Sequence, residues 1–227
     1  MIKGDLRKKQ ILETAEALFT ERGYEQTGVQ DILDRLRLSK GSFYHHFESK
    51  ALVLQTICEH RAERAAAAFR EEKEESALGR MNRLLSGMIP FQGEGLTFLR
   101  MLLPVLALPE GKSVLAGYQE ALKAAWEPMV RETLNRLMAE ENAFCRYPEE
   151  TAGIMLDLVN DLWGAVSQEM VRQLGRDQDQ AFLGRLLQTV SAYRAALENL
   201  ISAPYGTLEL MNPETLAATL TAFALRD

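Results

Sequence analysis

The apolar positions of this chain recur every three or four residues almost from end to end. Nowhere do they alternate singly with polar ones between hairpin turns, so the pattern predicts helices and no sheet. Residues 5 to 22 place Ile11, Ala15, Leu18 and Phe19 on one helical face, and Gly23 stands where such a helix should stop. Val29, Ile32, Leu33 and Leu36 form a shorter second face, with Thr27 as the expected cap. Leu38 buries the turn that follows, and Ser39 opens a third helix of about two turns ending near Phe47. Residues 48 to 70 then read as one long helix through Leu52, Leu54, Ile57 and an alanine run, connecting two parts of the chain.

Downstream, the same period predicts helices over residues 76–89, 96–108, 112–141, 149–174 and 178–201, each bounded by proline, glycine or polar residues. Pro104 and Pro128 fall inside two of them and are expected to kink them, because each removes a backbone donor and crowds the preceding turn. A last short helix is expected to open at Asn212, with Pro213 in its first position. Ile154, Leu158, Leu162, Ala165 and Val166 make one stripe. Phe182, Leu183, Leu186, Leu187, Val190, Tyr193, Leu197 and Ile201 make a broader one, and a tight RDQD connection folds the pair into an antiparallel hairpin. That hairpin is more apolar than one small core needs. It points to a four-helix bundle across a two-fold axis, with Leu183, Leu187 and Val190 at the interface; a monomer core is the competing reading.

With 227 residues, 47% of them apolar, the chain can bury one large core or two small ones. Its two cysteines, Cys58 and Cys145, are too few and too distant for a disulfide framework or a cysteine-rich zinc site, and they suit a reducing cytosol. No charged-then-apolar leader opens the chain. Its most apolar run, residues 101 to 109, is under half of the roughly 20 residues that cross a bilayer, so a cytoplasmic protein with no membrane partner is expected. A net charge of −6 argues at first against a polyanionic partner, but the way that charge is distributed points the other way. Residues 1 to 60 hold nine basic and nine acidic side chains with all three histidines, whereas residues 61 to 227 hold 17 basic against 23 acidic. Two parts with different partners are implied, and the stretch from Ser39 to Phe47 contains Lys40, His45 and His46 but no acid.

Two short helices joined by a tight turn, the second presented rigidly, are what a helix-turn-helix needs to enter a major groove. At Thr27, Ser39, Lys40, Gly41, Tyr44, Phe47 and Lys50 the chain resembles the tetracycline-repressor (TetR) family of bacterial transcription regulators, whose motif runs like SKGxxYxxFxxK. The motif resemblance covers residues 7 to about 60; beyond it only helical character and length agree. Two positions depart from the family. Arg37 stands at a turn where the family usually has glycine, and Gly28 where it often has Thr or Ser, which weakens any phosphate contact there.

The resemblance implies an all-α protein, with a three-helix helix-turn-helix DNA-binding domain over residues 1–50 and a helical effector-binding and dimerisation domain over residues 51–227. It implies a homodimeric repressor on a palindromic double-stranded operator, released by a small, largely apolar effector and needing no cofactor. Carried over by position, Lys40, Gly41, Ser42 and His45 face the groove, with Gln30 also near base edges, while Thr27, Ser39, Tyr44, His46 and Lys50 take phosphates. Phe43 and Phe47 are expected to be structural. The basic positions Lys3, Arg7, Lys8 and Lys9 offer a phosphate or minor-groove arm, though a frayed tail is the simpler description.

In the second domain Met88, Phe91, Phe98, Met101, Trp126, Met129, Met155 and Trp163 are the bulky or adaptable apolar candidates for a pocket, fewer than half of which should touch a ligand. Asp157 and Asp161, one turn apart, either orient a polar ligand group or form a solvated face. His45, His46, Cys58 and His60 lack metal-ligand spacing, and no nucleophile elbow, Walker loop or dinucleotide loop is present, so catalysis is not expected. Two other readings compete: a dimer that binds DNA without a ligand, and a helical protein-interaction adaptor.

Overall fold

A computed structural model describes residues 3–70, 76–89, 94–140, 143–172 and 180–211, together with Glu214 and Leu216. Among these residues there are nine helices and no strand: α1 (Lys3–Arg22), α2 (Val29–Leu36), α3 (Lys40–Tyr44), α4 (Lys50–Arg70), α5 (Ala77–Gly87), α6 (Glu94–Leu106), α7 (Gly111–Glu140), α8 (Pro148–Arg172) and α9 (Gln180–Leu200). The fold is all-α, as the periodicity predicts. The RDQD connection at 176–179 and the helix expected at Asn212 lie outside the described residues.

The first three helices close around Ile11, Leu18, Phe19, Ile32, Leu33, Phe43 and Phe47, all buried. Gly23 ends α1 with φ +87°, a left-handed conformation that costs a residue without Cβ nothing. Arg37 ends α2 in the same region, at φ 53° and ψ 47°, where its Cβ is unfavourable. The turn therefore keeps the shape that glycine would give it, at a cost in strain. The reader helix is shorter than expected: α3 is five residues long, capped by the Ser39 hydroxyl, which accepts from the Ser42 amide at 3.2 Å. Basic positions expected in a frayed tail belong to α1, where Lys9 pairs with Glu13 and Lys8 lies 5.7 Å from the Phe47 ring.

Helix α4 follows the three N-terminal helices. Its buried face, including Val53, Leu54, Ile57, Cys58, Ala62 and Ala66, packs against α1 and then α7, the longest helix, which also rests on α5 and α8. Gln119 of α7 and Asn160 of α8 exchange two side-chain-to-backbone hydrogen bonds of 2.9 Å, which sets the register of that pair. Helices α6 and α7 run through Pro104 and Pro128 respectively.

The stripe on α8 divides in two. Leu162 and Val166 face the core, whereas Leu158 and Ala165 are half-buried and Ile154 is exposed. On α9, Phe182, Leu186 and Leu197 turn inward, as does Ile201 just past its end, and Leu183 and Leu187 are half-buried. Val190 corrects the expectation for the interface: it is buried in its own chain's core.

Candidate nucleic-acid interface and interior cavity

The front of the helix-turn-helix is polar and open. Lys40, Tyr44 and His45 are exposed, and the Lys40 ammonium and Tyr44 hydroxyl have no hydrogen-bond partner among the described residues. A cation and a phenol on a rigid element, with no acidic side chain on the same helix, suit contacts to base edges and phosphates. The ring of Tyr44 packs edge-on against buried Phe43, and His46, half-buried, packs edge-on against His45. Gly41 is exposed with open space where a Cβ would stand, so its backbone can approach a groove closely. Gln30 is exposed at the start of α2, its amide donating to Asp34 at 2.7 Å. Ser39 and half-buried Ser42 lie on this front as well, the Ser39 hydroxyl occupied as the cap.

Behind this face lies a knot of satisfied polar groups that corrects two expectations. Thr27 is fully buried, and its hydroxyl donates to the carbonyls of Gly23 at 2.9 Å and Leu18 at 3.3 Å. It neither caps α2 nor reaches a phosphate. The cap position belongs to Gly28, whose amide donates to the Asp31 carboxylate at 2.7 Å, as in a capping box with only its returning half. Lys50 likewise turns inward: its ammonium donates to the carbonyls of Tyr24 at 2.8 Å and Thr27 at 2.9 Å and lies 4.0 Å from the Tyr24 ring centre. Burial lowers the Lys50 pKa below the ordinary lysine value, against the pull of Glu110, Glu25 and Asp31. Tyr24 in turn donates to Glu110 of the α6–α7 connection at 3.2 Å, and burial, then the Glu110 charge, pushes its phenol up. Lys50 thus ties the start of α4 to the segment entering α2.

A cavity of about 630 Å³ lies between α4, α5, α6 and α7, open to solvent on the side where Arg64, Ala68 and Ser86 are exposed. Of the eight expected pocket residues, Met88 and Phe98 line it; Phe91 lies outside the described residues. The other five, Met101, Trp126, Met129, Met155 and Trp163, are buried and do not line it. Trp126 donates its indole N–H to the Leu84 carbonyl at 3.2 Å and braces Phe69, and Trp163 meets Tyr118 edge-on. Phe69 and Tyr118 complete the aromatic wall. Burial, with a smaller contribution from Cys58, holds the Tyr118 hydroxyl well above the usual tyrosine range, so it remains a neutral donor. Asp157 is drawn away to Lys123, 2.7 Å distant, and Asp161 is exposed.

Sequence reasoning missed the most polar feature of this cavity, the arginines Arg61, Arg64 and Arg83. Arg61 sits 5.0 Å from the Phe98 ring centre and pairs with Glu16 of α1; Arg64 reaches the same carboxylate at 3.4 Å. Arg83 lies over Phe69 at 5.5 Å. The available signal was two arginines three residues apart, one helical turn, just ahead of the alanine run at residues 65–68. Among the described residues, no group of three or more His, Cys, Asp or Glu is placed to hold a metal ion. No helix there is long and apolar enough to cross a membrane.

Residues 11–57 match the family described as bacterial regulatory proteins, tetR family. Over 51 residues the chain is 43% identical to the HTH-type transcriptional repressor KstR2 of Rhodococcus jostii (strain RHA1), covering 22% of this chain and 25% of that protein. The matched segments span only 18% to 33% of the curated relatives, so this likeness concerns the N-terminal domain. The fold likeness reaches further. A TetR-family transcriptional regulator from Pectobacterium atrosepticum superposes with a TM-score of 0.61 at 18% identity, covering 89% of this chain and 97% of that one. RolR in complex with resorcinol gives a TM-score of 0.54 at 14% identity, over 99% of this chain and 96% of that one.

Proposed function

The chain belongs to the tetR family of bacterial regulatory proteins, and from that premise we propose that it is a homodimeric DNA-binding transcriptional regulator, a repressor whose second domain responds to a small molecule. The observation that carries the first half is the open cationic front of α3, braced by a buried knot that leaves Lys40, Tyr44 and His45 free to meet DNA. Gln30, Ser39 and Gly41, exposed, and Ser42 and His46, half-buried, would complete the contact surface. The interior cavity supports the second half, since about 300 to 1,000 Å³ is the usual range of a small-molecule site. RolR, of the same fold, holds resorcinol, which is consistent with that use of the second domain. Such a regulator would work in the cytoplasm, beside the chromosome.

Selection of double-stranded sequences from a random pool by the full-length protein tests the DNA reading. The expected product is a palindrome whose half-sites lie about one helical turn, roughly 34 to 36 Å, apart, with affinity falling steeply as salt rises. Failure to enrich any sequence, with binding no tighter than to bulk DNA, overturns it. The dimer is proposed on the packed pair α8 and α9, whose half-buried residues Leu158, Ala165, Leu183 and Leu187 leave apolar surface accessible. Leu183→Glu with Leu187→Glu should produce monomers by sedimentation and abolish tight binding to the palindrome, while a wild-type monomer at micromolar concentration would sink the assembly.

A further inference from the structure

We propose that the interior cavity takes an anionic amphipath, a carboxylate on an aromatic or short acyl skeleton, whose acid group competes with Glu16 of α1 for Arg61 and Arg64. The inference rests on the reading of the second domain as a small-molecule site and names the chemistry of what enters it. It also revises the expectation of a largely apolar effector.

The walls divide the ligand into two halves. Phe69, Met88, Ile89, Phe98 and Leu122 supply apolar surface for a hydrocarbon body. Arg61, Arg64 and Arg83 supply guanidinium groups, and no described lining residue is a carboxylate. Guanidinium forks match a carboxylate in shape as well as charge, and their attraction is stronger beside apolar walls than in water. An amine of the same size would meet like charge, and a neutral body would leave the arginines without a new partner. Tyr118, kept neutral by burial, adds a hydroxyl on the same wall.

The position of Glu16 makes this chemistry consequential. It is an α1 residue outside the cavity lining, yet its two carboxylate oxygens hold Arg61 and Arg64, both of which line the cavity from α4. The side chains of Glu16 and Arg61 are 20% and 22% exposed, so this pair is only partly screened by water, whereas Arg64, 64% exposed, is screened more and adds less. A ligand carboxylate would therefore do for the arginines what Glu16 does, and each gain on the ligand side loosens the tie between α1 and α4. By reciprocity, whatever tightens that tie must weaken the acid's binding.

The test uses the full-length protein without DNA and two matched series, the acid, amide and amine of 4-phenylbutane and of octane, titrated by calorimetry. In each series the acid should bind about ten-fold or more tighter than its amide, with the amine weakest. Arg61→Gln combined with Arg64→Gln should erase the preference for the acid while amide affinity holds, which serves as the internal check on folding. Arg64→Lys should retain part of it. Glu16→Gln should strengthen acid binding several-fold and leave the amide unchanged. Equal binding of acid and amide, tightest binding by an amine, or no binding by any of the six compounds overturns the ligand class; acid affinity indifferent to Glu16→Gln overturns the competition. Because these titrations contain no DNA, their failure is separate from that of the DNA reading, which sequence selection decides. An acid that binds as expected but leaves affinity for the selected palindrome unchanged upholds the site and overturns only its regulatory use.

Discussion

Lys40 and Lys50 stand ten residues apart in one short motif and do opposite things. The first is exposed at the start of the reader helix with nothing among the described residues to bind; the second is folded back onto two carbonyls and an aromatic ring. Front and back of the helix-turn-helix differ in the same way throughout, for Tyr44 is open while Thr27 is sealed. A DNA-binding motif is therefore two sets of residues, one that would meet the nucleic acid and one that holds the first in place. Both sets are polar, so residue type alone does not separate them.

The sharpest way to break this contrast is Lys50→Met. It removes two charge-assisted hydrogen bonds, leaving the Tyr24 carbonyl with only the Thr27 amide as donor and taking the ammonium from the Thr27 carbonyl, so the chain should lose about 2 to 4 kcal/mol of stability in denaturant titration. Binding should fall for all DNA sequences together, as the fraction of folded reader falls. A Lys50 variant with unaltered stability and a shallower salt dependence would return this residue to the front. Lys40→Ala should do the reverse, costing about 1 to 3 kcal/mol of specific binding and relaxing one position in each half-site, with the melting curve unmoved. The smallest effect concerns the turn between the two helices. Arg37→Gly should raise stability by about 0.5 to 1 kcal/mol, the relief of a left-handed residue exceeding the added freedom of the unfolded chain. A loss instead would mean that the Arg37 side chain contributes more than its backbone costs.

How far these roles were legible depends on how local their causes are. Gly23 and Ser39 act on their own neighbours, and both end or begin a helix where periodicity places them. Thr27 is also a good cap by type, but Gly28 holds that position because Asp31 reaches back to its amide, leaving the threonine hydroxyl to turn inward. Lys50 finds its partners 23 and 26 residues earlier in the chain, a distance that no motif encodes. The cavity was least legible. Large apolar residues such as Trp126 and Met155 are the natural candidates by type, yet they are where the packing is completed, and the space opens beside the arginines of α4 and α5. Those arginines become a site only once α1 brings Glu16 and α6 brings Phe98 beside them.

Helix α4 carries Lys50 as its first residue and Arg61 eleven residues on, which at 1.5 Å per residue separates them by roughly 16 Å along a single rod. A rod converts angle into distance. A tilt of about 5° pivoting near Arg61 would carry the Lys50 end sideways by roughly 1.4 Å, comparable to the tolerance within which a hydrogen bond is made or lost. In a two-fold assembly the displacement occurs twice with opposite sense, so the gap between two readers would open or close by up to nearly 3 Å against a DNA repeat of roughly 34 to 36 Å. On the proposed function, the stiffness of one helix would set how small a disturbance at the cavity could be and still be felt at the double helix.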